Sequence, residues 1–197
     1  MNQSRFDAAM SRRTLLGRLA AAGASYIGLT AFARPGAATN AGPQWDDTFE
    51  LAVDFEIAQP NGGRWHRPYV AIWVEDSAGR AVRTLLLWVN MTGRGPRYIR
   101  ELRRWTGAEG EQANQVISSI SSATRLPGKY SVAWNGRDDA GKVVEQGTYR
   151  VFIEAAREHG SYHVMQQELS LSTSPKAVEL QGNEEIAGAR VEYRRRK

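Results

Sequence analysis

Residues 49–57 read FELAVDFEI, with Phe49, Leu51, Val53, Phe55 and Ile57 apolar and Glu50, Asp54 and Glu56 polar between them. A period of two sends alternate side chains to opposite faces of an extended chain, so the segment predicts a half-buried strand. The pattern recurs. QPNGGRWHRP interrupts it with Pro60, Asn61, Gly62 and Gly63, a loop signal. YVAIWVED (69–76) and AVRTLLLWV (81–89) then flank the turn DSAGR at antiparallel-hairpin spacing. Further on, KYSVAWNG, TYRVFIEAAREHG and YHVMQQELSLS predict three more strands, the last of them the final long one. Ala189, Val191 and Tyr193 suggest a weak edge strand after it. Between Gly93 and Gln115 the period changes. Tyr98, Leu102 and Trp105 stand at helix-like intervals, which predicts one short amphipathic helix followed by a polar loop, TGAEGEQAN. Seven or eight short strands joined by Gly- and Asp-rich turns define the expected fold class: an immunoglobulin-like antiparallel β-sandwich over residues 45–193.

The amino-terminal region follows other rules. Paired Arg12 and Arg13 in SRRTLL precede an alanine-rich apolar stretch from Leu19 to Ala33. That stretch contains glycines and is short of the roughly 20 apolar residues a bilayer span needs. The order of paired arginines, apolar segment and small residues predicts a twin-arginine signal over 1–37, cleaved between Ala33 and Ala38, with 38–44 as linker. The alternative is a permanent amino-terminal anchor. Export through the twin-arginine route carries a protein already folded and places this one in the periplasm, with no stable membrane span after cleavage.

Charge and composition then exclude several functions. The chain nets +5, but five bases and one acid lie before residue 38, and four bases form the terminal RRRK. The body between is slightly acidic, so it offers no broad field for nucleic-acid backbones. Residues 194–197 predict a solvated basic tail. Cysteine is absent, which removes disulfides, thiolate metal sites and cysteine nucleophiles together. No serine sits in a nucleophile elbow, and three histidines supply no assignable base, so a catalytic role is not predicted.

Two resemblances add to this. PGKYSVAWNGRDDAGKVVEQGTY, ending at Tyr149, resembles the immunoglobulin-like repeat of the flagellar hook-cap protein. Trp134 is expected to face the core, Gly136 and Gly141 to take positive φ, and Asp138 or Asp139 to cap the turn. More widely, the ordered blocks HRPYVAIWVEDSAGRAVRTLLLW, LRRW, SSATRLPGKYSVAWNGRDDAGK and GTYRVFIEAAREHGSY resemble family 2271 among the bacterial domains of unknown function. The resemblance implies a periplasmic protein in the company of PepSY-type membrane redox proteins and a periplasmic flavin transferase.

That transferase joins FMN through its phosphate to a threonine hydroxyl within Asp-Gly-x-Ser/Thr-Gly/Ser-Ala-Thr. The aligned residues here are Ser118, Ser119, Ile120, Ser121, Ser122, Ala123 and Thr124. By resemblance Thr124 is the attachment point, with Ser121, Ser122 and Ala123 completing the motif, while Ser118 and Ser119 replace its Asp and Gly. The plain alternative is a serine-rich connection leading into the next strand, in a cofactor-free protein-binding or structural module.

EAAREHGSYH is the other dense polar stretch, in which Glu154, Arg157, Glu158, His159 and His163 suggest a charged patch. If it stays extended, His159 and His163 share a face and join Glu158 as weak candidates for a metal or haem. A turn at Gly160 would break that spacing, leaving Arg157 to pair with a carboxylate. Of Trp65, Trp73, Trp88, Trp105 and Trp134 most are expected in the core, while one or two beside His66-Arg67-Pro68 are candidates to stack on a flat ligand. GRGPR (93–97) is a basic, flexible segment with a weak anion-site signal.

Overall fold

The computed structural model describes residues 42–60, 62 and 65–196. The segment expected to be a twin-arginine signal, with Arg12 and Arg13, lies outside the described residues. Among the described residues nine strands form two sheets. β1 (Phe49–Ile57), β5 (Gly128–Trp134), β9 (Ile186–Arg195) and β8 (Lys176–Gln181) form the first, in the order β5-β1-β9-β8. β2 (Tyr69–Asp76), β3 (Ala81–Trp88), β6 (Gly147–Ala156), β7 (Tyr162–Leu171) and the two-residue β4 (Ser121–Ser122) form the second, in the order β4-β3-β2-β6-β7. Every pairing is antiparallel except the short parallel contact of β4 with β3.

The order β3-β2-β6-β7 reproduces C′-C-F-G of an immunoglobulin sandwich, and the β1–β5 pair reproduces B–E. The departure is at the carboxyl terminus: β9 takes the flank of β1 where strand A would lie, and β8 extends beyond it. The inner faces close on Leu51, Val53, Phe55, Val70, Ile72, Trp134, Val151, Ile153, Val191 and Tyr193. Trp45 plugs the end where the chain enters, with ring centroids 4.9 Å from Trp134 and 5.3 Å from Tyr193. Gly136, at φ +73°, makes that plug possible, because a Cβ there would sit 2.2 Å from the Trp45 ring. Gly141 also has positive φ, and Asp138 Oδ1 accepts the Lys142 N–H, so the expected turn chemistry is present.

A third layer covers the outer face of the second sheet. A 3₁₀ turn (Gly95–Glu101), α1 (Arg103–Glu109), a further 3₁₀ turn (Gly110–Gln112) and α2 (Ala113–Ile120) present Ile99, Leu102, Trp105, Ala113 and Val116. These pack on Tyr69, Ala71, Trp73, Phe152 and Ala156 of β2 and β6. Both faces of β2 are therefore covered, which explains the nearly unbroken apolar run YVAIWV.

Several expectations need correction. TGAEGEQAN is not a loop but mostly helical, since Ala113 is buried against the sheet. Ala189, Val191 and Tyr193 belong to a ten-residue strand interior to its sheet, so β7 is not the last long strand. Arg194 and Arg195 are not part of a solvated tail: β9 runs through Arg195, and Arg194 Nε lies 2.9 Å from Glu50 Oε1, while Lys197 lies outside the described residues.

Beneath the helical layer Trp105 Nε1 donates to Thr84 Oγ1 at 3.0 Å, and Thr84 donates onward to Glu109. Burial raises the Glu109 pKa, the Thr84 hydrogen bond lowers it, and the Asp139 charge raises it again, for a net rise. Stability tied to such a carboxyl is fully present below its ordinary pKa of 4.5 and is lost as pH rises through the folded value. Glu109→Gln is expected to be more stable than the native chain at neutral pH, with the gap closing below pH 4.5. Urea midpoints measured across that range check this, and a gap independent of pH contradicts it.

Candidate functional site

At the end of the sandwich opposite Trp45, the β1–β2 connection, the segment after β3, the segment after β4 and the β6–β7 turn converge. They enclose a cleft of about 650 Å³ lined by Trp65, His66, Arg67, Tyr69, Val89–Thr92, Ser121–Thr124 and Glu158. That volume suits a small organic ligand. The sequence-predicted residues Ser121, Ser122, Ala123 and Thr124 all line it, and Trp65 and His66 stand on the same wall.

The path of the chain explains the placement. α2 ends at Ile120, and Ser121 and Ser122 then pair with Leu87 and Trp88 of β3. Val89 N–H donates to Ser122 O at 2.9 Å, extending that ladder into the cleft wall. The motif hydroxyls divide into two sets. Ser118 and Ser119 donate to the backbone carbonyls of Asn114 and Val116, closing the end of α2. Ser121, Ser122 and Thr124 make no side-chain hydrogen bond among the described residues. Thr124 is half-buried, and Ser122 and Ala123 are exposed.

Tyr69, which sequence reasoning did not single out, forms the floor. Its hydroxyl is shared between Gly95 O and Glu158 Oε1, each 3.1 Å away. Burial first, then the Glu158 hydrogen bond and charge, pushes the phenol pKa well above its ordinary value, so it remains a neutral donor. Asn90 was missed as well: its Oδ1 accepts the Thr92 N–H at 2.9 Å and hydroxyl at 2.8 Å, shaping the second wall. An Asx turn of this kind is written in the tripeptide NMT, but nothing in the sequence says which cavity it borders.

The EAAREHGSYH cluster separates into parts. Glu154 is not in a charged patch; it is fully buried and faces the helical layer. Arg157 pairs with Glu184 at 2.9 Å and Glu185 at 2.5 Å. His159 lies in the turn, not the strand, at φ +55°, with Nε2 3.1 Å from the Tyr98 hydroxyl. His163 lies in β7, 3.8 Å from Glu184, so the two histidines do not share a strand face. Glu158 is engaged by Tyr69 instead. Among the described residues no three His, Asp or Glu side chains gather as metal ligands. His66, Glu158 and His159 do border a second, smaller cleft of about 370 Å³ beside the first.

Fold and cleft together define a helix-covered β-sandwich with a ligand-sized opening at one rim. The chain belongs to the family described as "Predicted periplasmic protein (DUF2271)", whose model matches residues 50–188. No curated protein and no solved structure matches the chain, and the flagellar hook-cap likeness of the 127–149 segment has no counterpart in these comparisons. No described helix is long and apolar enough to cross a membrane.

Tyr69→Phe removes the one donor shared by Glu158 and Gly95 O. It is expected to cost about 1–3 kcal/mol, the penalty for leaving a buried or charged acceptor unpaired. Chemical denaturation measures it; an unchanged midpoint would show that the hydroxyl does not hold the cleft floor.

Proposed function

We propose that the protein is exported by the twin-arginine route through Arg12 and Arg13, and that Thr124 carries covalent FMN. On this reading the domain is an accessory electron carrier for a membrane redox system of PepSY type, loaded by a periplasmic flavin transferase. The observation that carries the proposal is the Thr124 hydroxyl, which makes no hydrogen bond among the described residues and borders a cleft of about 650 Å³. The neighbouring hydroxyls of Ser118 and Ser119 are occupied by helix carbonyls, which singles out the end of the motif.

The residues present fit such a group. Flavin, when bound, supplies one- and two-electron redox chemistry. Trp65 offers an aromatic side chain on the cleft wall, and His66 and Arg67 offer positive or polar partners for a phosphodiester. Tyr69 holds its proton and donates a hydrogen bond to Glu158, which fixes that carboxylate at the cleft floor, while His66 and Arg67 line the cleft as partners for an anion. Small Ser122 and Ala123 leave the approach to Thr124 open.

A second reading, a cofactor-free binding or structural module, is favoured by β7. This ten-residue strand ends its sheet with no neighbour on one side among the described residues, an edge open to strand addition. The two readings separate by mass and colour. Protein coexpressed with a periplasmic flavin transferase is expected to be yellow and to gain the mass of one FMN less one water, and Thr124→Ala to lose both. An unmodified native chain, or an adduct that survives Thr124→Ala, overturns the proposal.

A further inference from the structure

The mouth of the Thr124 cleft differs in charge from the rest of the surface. Arg67, Arg94, Arg97 and Arg125 are exposed, and none comes within 4.0 Å of a described carboxylate. Arg67 lines the cleft, Arg125 follows Thr124 directly, and Arg94 and Arg97 lie just beyond the lining residue Thr92. Elsewhere most arginines are spent on ion pairs, such as Arg80 with Asp76, Arg104 with Glu75, Arg150 with Glu168, Arg190 with Glu179 and Arg194 with Glu50. The other described arginines without one, Arg137, Arg195 and Arg196, lie toward the Trp45 end. Of the carboxylates on this side, Glu184 and Glu185 share Arg157, and Glu158 keeps its charge because its partner, the Tyr69 hydroxyl, is neutral. Four unpaired cations therefore outnumber the carboxylate charge at this rim and leave it net positive.

Apolar exposure shows the same bias. The described residues include three large hydrophobic side chains that are exposed, and two of them flank this cleft: Met91 at 51% and Leu126 at 55%. Met91 belongs to the connection after β3, and Leu126 to the connection before β5. They stand on separate loops either side of a polar opening and form no continuous patch. A stable protein interface buries roughly 1,200–2,000 Å² around an apolar centre. Isolated apolar loop tips among arginines are instead suited to a lipid headgroup region, where each apolar tip enters the acyl boundary and the guanidinium groups reach phosphate.

We infer that the rim formed by Arg67, Met91, Arg94, Arg97, Arg125 and Leu126 docks on an anionic bilayer surface, with the Thr124 cleft turned toward the membrane. The orientation follows from loops that share one end of the sandwich, and it requires no modification of Thr124. A domain held in this way keeps its cleft beside membrane-embedded partners and leaves the β7 edge and the Trp45 end facing outward.

The test is vesicle flotation with Thr124→Ala protein lacking residues 1–37, so that neither a flavin nor the amino-terminal segment contributes. Binding is expected to vesicles of equal parts phosphatidylglycerol and phosphatidylcholine, to be absent from phosphatidylcholine alone, and to fall with added salt. Each of Arg67→Gln, Arg94→Gln, Arg97→Gln and Arg125→Gln is expected to weaken partitioning, by roughly fivefold for an arginine at the surface. The double variant M91S/L126S is expected to weaken it further, while Lys142→Gln, on the turn at the other end, leaves it unchanged. All six rim positions are exposed, so unchanged unfolding midpoints will confirm intact folds. Equal binding to neutral vesicles, or binding insensitive to the rim variants, overturns the inference. So does capture of a poly-glutamate peptide without vesicle binding, which would assign the rim to an acidic protein.

Discussion

A buried carboxylate on β6 holds the structure's third layer in place. Glu154 is inaccessible to solvent, and its two oxygens accept the backbone N–H groups of Arg104 at 2.9 Å and Trp105 at 2.7 Å. These are the second and third residues of α1, whose own N-cap position is occupied by Leu102, a side chain that cannot accept a hydrogen bond. The strand therefore supplies the cap that the helix lacks. Burial raises the Glu154 pKa, and the two N–H bonds, the Tyr162 hydroxyl and the Arg104 charge offset that only in part, so the acid depends on the helix as much as the helix depends on it. Arg104 also reaches Glu75 of β2 at 2.7 Å, stacked over Phe152. One helical turn thus satisfies two acids on the sheet's outer face.

The position of the cleft follows from this latch. With α1 docked, α2 runs on to Ile120 and delivers Ser121 and Ser122 to the edge of β3. Thr124 then emerges at the rim, facing the loops that carry Trp65, His66 and Glu158. Rigid strands position variable loops, as in other sandwiches whose working surface is one end of the fold.

Much of the sandwich was legible because strand patterning and turn chemistry are local signals. β1 read directly from its alternation, β2 and β3 from the DSAGR turn between them, and Trp134, Gly136 and Asp138 from their turn chemistry. The helical layer was under-read because TGAEGEQAN is polar on the side that faces solvent, and its contacts with the sheet are long-range. The overlooked clue was in YVAIWV and VFIEAA, runs too apolar for a sheet with one wet face. The central place of β9 was hidden because Gly188 and charged residues at alternating positions resemble an edge, although β1 and β8 cover both sides. Of the candidate site, the Ser121–Thr124 segment was legible through its resemblance. Tyr69 and Asn90 were not, since only the tertiary fold brings them to it. The pairing of His159 with His163 failed because the hairpin reverses at His159 itself.

Site and fold both rest on the claim that Glu154 anchors the helical layer and thereby places the Thr124 segment. Native-state hydrogen exchange on Glu154→Ala, compared residue by residue with the native chain, tests this directly. Loss of amide protection concentrated in residues 103–122, with β1 and β9 still protected, is the predicted result. Protection that is unchanged there, or lost evenly across both sheets, would contradict it.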